Sequence, residues 1–178
     1  MSRSELLDLV PHPACPDLGA EAIRITFTRA PEEWRIQCSV RGDFSGLQWP
    51  ALSAVHRSRA VWQSTCLELF VRRADSPAYR NFCFSPSGAW NCYDFASYRS
   101  DPSHQAERGI PVRVAQTRNT RERQLDIRIS RELIPHPPGR LGIGFTLEDQ
   151  DGHKSIWALG HPSRTPDLHH PDGFTLAA

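Results

Sequence analysis

The C-terminal region carries the densest group of residues that could bind a metal ion or a haem iron. From Leu159 to Phe174 the sequence reads "LGHPSRTPDLHHPDGF", with three histidines, two aspartates and three prolines. Imidazole and carboxylate groups are suitable zinc ligands, and a metal-assisted hydrolase would use His161, Asp167, His169 and His170. Because metal sites are normally assembled from several rigid elements, this proline-rich stretch favours a polar connection between two strands instead.

A second group pairs an aromatic ring with a carboxylate. In "VWQSTCLELFV", residues 61–71, alternation on a regular strand places Trp62 and Glu68 on one face and Leu67 and Leu69 on the other. An indole near a carboxylate acceptor suits a sugar, which offers C–H groups for stacking and hydroxyls for hydrogen bonds. The alternative is that Trp62 belongs to the core and that Glu68 pairs with an arginine.

Three further residues are candidates for the same site. Trp157, in "KSIWALGHP", either completes an aromatic clamp with Trp62 or belongs to the core. Asn81 alternates with the apolar Phe82 on a strand expected to lie beside residues 65–72, so it would face the ligand. His161 lies in the histidine-rich connection, which is expected to border the cleft.

Other arrangements that would indicate an enzyme are not present in the sequence. There is no glycine-rich phosphate loop, no GxSxG elbow, no HExxH and no two-cysteine zinc knuckle, so we expect no catalytic activity and no metal. The five cysteines are an odd number without a CxxC pair, which favours reduced thiols buried in strands. A cysteine nucleophile, drawn from Cys66, Cys83 and Cys92, is the alternative.

Length and composition predict one soluble globular domain covering residues 1–178, with an irregular N-terminal segment over residues 1–20. Hydrophobic residues make up 39% of the chain and charged residues 23%, and the net charge is +1. The 21 basic residues are balanced by 20 acidic ones and are dispersed, so we expect no nucleic-acid partner. No apolar run reaches the roughly 20 residues that cross a bilayer, and the start of the chain lacks an apolar signal core, so we expect no membrane association and a cytoplasmic location.

The elements that would position these residues are β-strands. Period-two patterns predict about ten, at residues 22–28, 34–40, 65–72, 79–86, 89–95, 112–118, 124–130, 142–149, 154–159 and 173–177. "SPSG" (85–88) and "DQDG" (149–152) predict hairpin turns, and "SRELI" (130–134) predicts a short helical connection. The fold class expected is mainly β, an antiparallel jelly-roll-like β-sandwich with short helical connections, with residues 44–60 looping across one end or edge.

Three segments together resemble a known family: "VWQSTCLELFV", "YRNFCFSPSGAWNCYDFASYR" and "SIWALGHPSRTPDLHHPDGF". They are similar to bacterial DOMON-like domains, in particular the group found fused to UDP-N-acetylmuramate dehydrogenase, and more remotely to family-nine carbohydrate-binding modules. The resemblance covers roughly residues 20–178 and implies a β-sandwich that holds a sugar or a haem. Trp62 and Glu68 match a Trp and a Glu that help those modules to bind the terminal sugar.

The sequence also departs from the patterns of the sugar-binding modules and of the haem-binding domains. Those modules close over the sugar with a Trp in a Trp-Asn-Asp-Pro stretch; here the stretch reads "LGHP", so Leu159 stands at that position and Trp157 is the substitute. Their calcium sites have no recognisable ligand set here. Haem-binding DOMON domains commonly pair a methionine with a histidine or lysine, and the one methionine of this chain is Met1, so a b-type haem would need His161 with His169 or His170.

The leading hypothesis is therefore a non-catalytic domain that binds a saccharide without a cofactor, through Trp62, Glu68, Asn81, Trp157 and His161. The alternatives are a redox module that binds haem b through His161 and His169, the metal-dependent hydrolase, and a protein-interaction domain that uses a sheet edge or exposed aromatic residues.

Overall fold

The structure is a computed structural model that describes residues 2–104 and 112–178, so Met1 lies outside the described residues. It is mostly β. The strands in the described part are β1 (Arg3–Pro11), β2 (Ala20–Arg29), β3 (Glu33–Gly42), β4 (His56–Arg57), β5 (Cys66–Arg73), β6 (Tyr79–Phe84), β7 (Ala89–Phe95), β8 (Ser103–His104), β9 (Val112–Arg118), β10 (Glu122–Ser130), β11 (Pro138–Glu148), β12 (Lys154–Ala158) and β13 (Leu176–Ala177). Short 3-10 helices cover Val61–Gln63, Arg131–Leu133 and Pro171–Gly173. No helix in these ranges is long and apolar enough to cross a membrane.

The strands form one continuous sheet that curls on itself through β1. The order is β4-β7-β6-β5-β11-β12-β1-β2-β3-β10-β9, with β13 paired to β11 and β8 to β7. Arg3 to Leu9 of β1 pair with β2, whereas Val10 and Pro11 pair with β12. We call β2, β3, β10 and β9 the β2 half, and β4, β7, β6, β5, β11 and β12 the β5 half. Neighbouring strands are antiparallel except for the short parallel pair β4–β7.

The core lies between these two halves. Ile25 and Ile36 from the β2 half and Leu69 and Phe82 from the β5 half belong to one cluster of fully buried side chains. The segment after β3 closes one end of this core, since Trp49 stacks on Phe145 with ring centroids 5.9 Å apart. This packing confirms the predicted β-sandwich.

The sequence-based boundaries agree with the structure within two residues for eight of the ten predicted strands, and the ninth, predicted at 142–149, begins four residues earlier as β11. The tenth, at 173–177, is a 3-10 helix followed by the two-residue β13. Both predicted hairpin turns form, and their last residues, Gly88 and Gly152, have φ values of 93° and 85°, which glycine adopts without steric cost. The short helical connection forms at Arg131–Leu133.

The prediction of an irregular segment over residues 1–20 is wrong, because Arg3–Pro11 is the strand that joins the two halves. Its side chains do not sort into a polar and an apolar face: Leu6 is 64% exposed and Glu5 faces inward, where Arg29 forms an ion pair with it. A strand with this pattern is specified by its partners β2 and β12 rather than by its own periodicity.

Candidate ligand-binding cleft

The floor of the cleft that contains Glu68 is the face of the β5 half that points away from the core. On β5, Leu67 and Leu69 point into the core, so the alternation sends Glu68 to the opposite face. Pairing of β5 with β6 and β11 brings Asn81 of β6 and Thr146 of β11 to the same face. Four adjacent strands therefore supply the floor, with Ile156 and Lys154 of β12 at one side.

Three connections form the walls around this floor and enclose about 500 Å³. The 3-10 helix Val61–Gln63 contributes Trp62, the segment after β7 contributes residues 99–102, and the histidine-rich loop contributes residues 166–169. This loop lies directly on the sheet because β11 has glycine at the contacts. A Cβ on Gly144 would lie 2.7 Å from the Leu168 side chain, and one on Gly142 would lie 2.5 Å from the Phe174 ring.

Glu68 is the most unusual group on the floor, because it is an ionisable side chain with only 5% exposure. Its Oε2 accepts a hydrogen bond from Asn81 Nδ2 at 3.0 Å and lies 3.6 Å from the Cys83 thiol. Among the described residues, no hydrogen bond involves Oε1 and no basic side chain forms an ion pair with Glu68. Burial raises the pKa of Glu68 to about 7, against hydrogen bonds that lower it.

Trp62 presents an exposed indole to the cleft. All five tryptophans lie in the described part of the chain, and Trp62 is 50% exposed whereas the other four are buried. Two contacts hold its 3-10 helix in place: Lys154 Nζ donates to the Gln63 carbonyl at 2.6 Å, and the Ala60 amide donates to the Tyr93 hydroxyl at 3.3 Å. Side chains of the sheet therefore hold the backbone around Trp62, and this places the indole at the edge of the cleft.

An ion pair spans the opposite wall. Arg99 donates from Nη2 to Asp167 Oδ1 at 2.7 Å, and Tyr98 donates its hydroxyl to the same carboxylate. The backbone of Arg99 has a φ of 50°, which is uncommon for a residue with a side chain. These contacts tie the segment after β7 to the histidine-rich loop.

His169 lies beneath that ion pair in an aromatic cluster. Its Nδ1 is hydrogen-bonded to the Tyr79 hydroxyl at 2.8 Å, and its ring packs edge-on against Phe70 and Phe95. Burial, with a further contribution from Arg99, lowers the pKa of His169 to about 4. The imidazole is therefore neutral at pH 7.

Of the five residues proposed as ligand contacts from the sequence, the structure brings three together: Trp62, Glu68 and Asn81 line the same cleft. Trp157 does not join them, so the expected clamp with Trp62 is not formed. It is 6% exposed, belongs to the core, and its Nε1 donates to Ser155 Oγ at 3.0 Å. The reason is that Ile156, its neighbour on β12, takes the cleft face.

His161 is also outside the cleft. Its Nε2 is hydrogen-bonded to the Val10 carbonyl at 2.8 Å, and its ring meets that of His12 at 4.7 Å. The residues considered for haem, His161 and His169, thus have different neighbours: one packs beside β1 and the other in the aromatic cluster under the loop. The geometry gives no support to a shared iron between them.

The loop residues considered for a metal-dependent hydrolase do not converge either. Asp167 is engaged by Arg99, and His170 Nδ1 accepts from the Asp172 amide at 3.3 Å. In the described ranges, the donors that cluster closely enough for a metal are those of Asp149, Asp151 and His153, at the tip of the β11–β12 hairpin. Asp149 Oδ1 already accepts the backbone amides of Asp151 and His153, at 2.9 and 2.8 Å, which accounts for this cluster as turn geometry.

Several cleft residues were not identified from the sequence, namely Tyr93, Phe95, Arg99, Asp101, Thr146 and Lys154. Tyr93 could have been found, because the predicted hairpin at 85–88 sets the register that pairs it with Asn81. Arg99 and Asp101 lie in an irregular segment, where the spacing of residues does not indicate which way their side chains point.

The five cysteines, all in the described part, are free. Cys38, Cys66, Cys83 and Cys92 are buried, as predicted, and Cys15 is half-buried. Burial raises the pKa of the Cys66 and Cys83 thiols well above the ordinary value, so these thiols stay protonated.

No protein-family model matches the chain, and no curated protein matches it. Among solved structures, a "putative carbohydrate-binding protein" from Bacteroides uniformis ATCC 8492 is 16% identical, with 96% of this chain and 84% of that chain covered and a TM-score of 0.68. A family-9 carbohydrate-binding module from Caldicellulosiruptor kristjanssonii in complex with cellotriose is 10% identical, covering 88% and 72%, with a TM-score of 0.51. The same kind of module in complex with glucose is 10% identical, covering 88% and 74%, with a TM-score of 0.50.

The structural similarity shows a common fold, and at identities of 10–16% it shows the fold alone. The remote similarity to family-nine carbohydrate-binding modules that the sequence suggested is thus supported at the level of fold. The narrower resemblance to DOMON-like domains stays a prediction.

Proposed function

We propose that this protein binds a saccharide, without catalysing a reaction, in the cleft above the β5 half. The observation that carries the proposal is that Trp62, Glu68 and Asn81 line one accessible cleft. The cleft volume of about 500 Å³ is in the usual range for small-molecule sites. The fold is shared with modules that were solved with cellotriose and with glucose, which is consistent with this ligand class.

Each part of the cleft supplies an interaction that a sugar ring can use. The exposed face of Trp62 offers a flat apolar surface for the C–H groups of a pyranose. Glu68 Oε1 is an acceptor for sugar hydroxyls, and the Thr146 hydroxyl, which has no hydrogen bond within the described residues, can donate or accept. Lys154 and Arg99 place further donors at the sides.

The arrangement favours binding over hydrolysis. A glycosidase needs a carboxylic acid and a second carboxylate that flank the scissile bond and are both available to the substrate. In this cleft Glu68 lies on the floor, whereas Asp167 is held by Arg99 and Tyr98, and Asp101 is exposed at the mouth rather than opposite Glu68 on the sheet. The proposed binding requires no cofactor.

The test is isothermal titration of the full chain with D-glucose, cellobiose, N-acetyl-D-glucosamine and D-glucosamine. We expect at least one of them to bind with a millimolar or lower dissociation constant. Trp62→Ala should weaken that binding at least tenfold, because it removes the stacking surface. Leu6→Ala, which truncates another exposed apolar side chain that does not line the cleft, is the matched control and should bind like the wild type.

Tryptophan fluorescence gives an independent readout. Because Trp62 is the exposed indole of the five, iodide should quench mainly Trp62, and a bound sugar should protect it. Absence of binding by all four saccharides, or unchanged affinity in Trp62→Ala, would contradict the proposed function.

A further inference from the structure

The cleft contains a feature that a neutral sugar does not use: a buried carboxylate without a cationic partner. We propose that the saccharide bound here carries a free ammonium group, an amino sugar, and that Glu68 is its counter-charge. This inference rests on the proposed function and specifies the ligand class of the same site.

The immediate surroundings of Glu68 suit a cationic ligand. The groups that contact its carboxyl are neutral, the Asn81 amide and the Cys83 thiol, and both approach Oε2. Within the described residues no arginine, lysine or histidine forms an ion pair with it. An ionised carboxylate removed from water costs free energy unless it is paired, so an ammonium group arriving with the ligand would remove that cost.

The aromatic lining of the same cleft also suits a cationic ligand. Trp62, Tyr93 and Phe95 all border it. The faces of aromatic rings attract ammonium groups, and a set of rings next to a carboxylate is an arrangement that proteins use for cationic ligands. The rings and the carboxylate therefore favour the same charge on the ligand.

The other charged groups of the cleft do not supply the missing partner. Lys154 donates to the backbone carbonyl of Gln63, at the Trp62 edge. Arg99 is paired with Asp167, and His169 beside them is neutral because burial lowers its pKa to about 4. Asp101 is exposed and adds negative charge at the mouth.

The thiols nearest to Glu68 are neutral as well. Burial raises the pKa of Cys66 on β5 and of Cys83 on β6. The Tyr93 phenol on β7 is neutral for the same reason, since burial raises its pKa. Cys66, Cys83 and Tyr93 are thus uncharged near pH 7, and none of the three supplies a counter-charge to Glu68.

The experiment compares ligands that differ in one group. D-glucosamine and 6-amino-6-deoxy-D-glucose are each titrated against D-glucose by calorimetry at pH 7.0, with N-acetyl-D-glucosamine as the amino sugar whose charge has been removed. We expect at least one of the two free amino sugars to bind ten times more tightly than D-glucose, and N-acetyl-D-glucosamine to lose that advantage.

Variants then assign the preference to one carboxyl. Glu68→Gln should reduce the ratio of amino-sugar to glucose affinity to about one, because it removes the negative charge of this side chain and keeps an acceptor oxygen. Glu32→Gln makes the same chemical change at an exposed turn between β2 and β3 and should keep the wild-type ratio. Should Glu68→Gln fail to fold, the wild type provides the test. Lowering the pH from 7 to 5 protonates a carboxyl whose pKa is about 7, and amino-sugar affinity should fall at least tenfold while glucose affinity changes little.

The outcomes separate this inference from the proposed function. If glucose and the amino sugars bind equally well, or if Glu68→Gln keeps the preference, the ammonium proposal is overturned and saccharide binding stands. If amino-sugar affinity is the same at pH 5 and pH 7, the proposal is also overturned. If neither neutral nor amino saccharides bind, the proposed function itself fails.

Discussion

Replacement of Glu68 by glutamine should change how the stability of this protein depends on pH. The variant keeps the shape of the side chain and its acceptor for Asn81 Nδ2, and it removes the ionisation. Because the carboxyl is 5% exposed and has no cationic partner among the described residues, ionisation in the folded state is unfavourable. This change isolates the free energy of a single buried charge.

The magnitude follows from the pKa of Glu68, which burial raises from 4.5 to about 7. A tenfold change in an ionisation constant corresponds to about 1.4 kcal/mol, so ionisation of Glu68 makes the folded state less stable by roughly 3 kcal/mol above pH 7 than below pH 4.5. The sign follows from the raised pKa. The contribution of the protonated Glu68 is fully present below pH 4.5, where this carboxyl is protonated in both folded and unfolded chains, and it is lost as the pH rises through 7.

The assay is urea unfolding of wild type and Glu68→Gln from pH 4.5 to pH 8, with Glu32→Gln as control. We expect similar stabilities at pH 4.5 and a variant that is more stable by about 3 kcal/mol at pH 8. For a chain of this size that difference corresponds to a melting temperature higher by roughly 6 to 12 °C. The control should follow the wild type throughout.

A difference between variant and wild type that stays constant with pH would refute the reasoning, as would a wild type that gains stability over the variant towards pH 8. Nuclear magnetic resonance of the Glu68 carboxyl carbon is a direct check. Its titration midpoint should lie near 7, and a midpoint near 4.5 would show that burial does not perturb the group.

Three further substitutions test the packing around the cleft. Gly142→Ala should cost about 1–3 kcal/mol in urea unfolding because its Cβ would meet the Phe174 ring; Gly160→Ala, where the space is open, should be nearly neutral, and equal costs would contradict the packing. Trp157→Ala should cost about 3–5 kcal/mol and leave the saccharide affinity of the folded protein unchanged; a selective loss of affinity would place Trp157 in the site. His169→Gln should gain stability relative to the wild type as the pH falls from 6.5 towards 4, because the imidazole protonates near 6.5 in the unfolded chain but only near 4 in the folded one; a difference that does not change with pH would contradict this.

Local sequence patterns were sufficient to predict most strands and some of the residues that line the cleft. Period-two alternation in residues 65–72 correctly separated Glu68 from Leu67 and Leu69, and the turn residues at 85–88 and 149–152 set two hairpins. These features depend on neighbours within a few positions along the chain. β1 was missed because its apolar residues are divided between both faces.

The choice between core and cleft for each tryptophan came only from tertiary packing. Alternation predicts that Trp157 and Ile156 point to opposite faces of β12. It does not indicate which face meets the core and which meets the cleft, and in the structure Trp157 faces the core and Ile156 the cleft. Trp62 was expected on a strand, and it lies in a 3-10 helix held by Lys154 and Tyr93. Neither anchor is near Trp62 in the sequence.

The sequence by itself determined the β-sandwich class, the two hairpins and the separation of Glu68 from Leu67 and Leu69, because backbone geometry makes side chains alternate on any strand. Only the tertiary structure decided that His169, and not His161, lies at the cleft, and that Glu68 is buried without a cation. Both results depend on how the histidine-rich loop crosses Gly142 and Gly144 of β11. Contacts between segments that are distant in sequence are set by the assembled sheet, and periodicity within one segment carries no information about them.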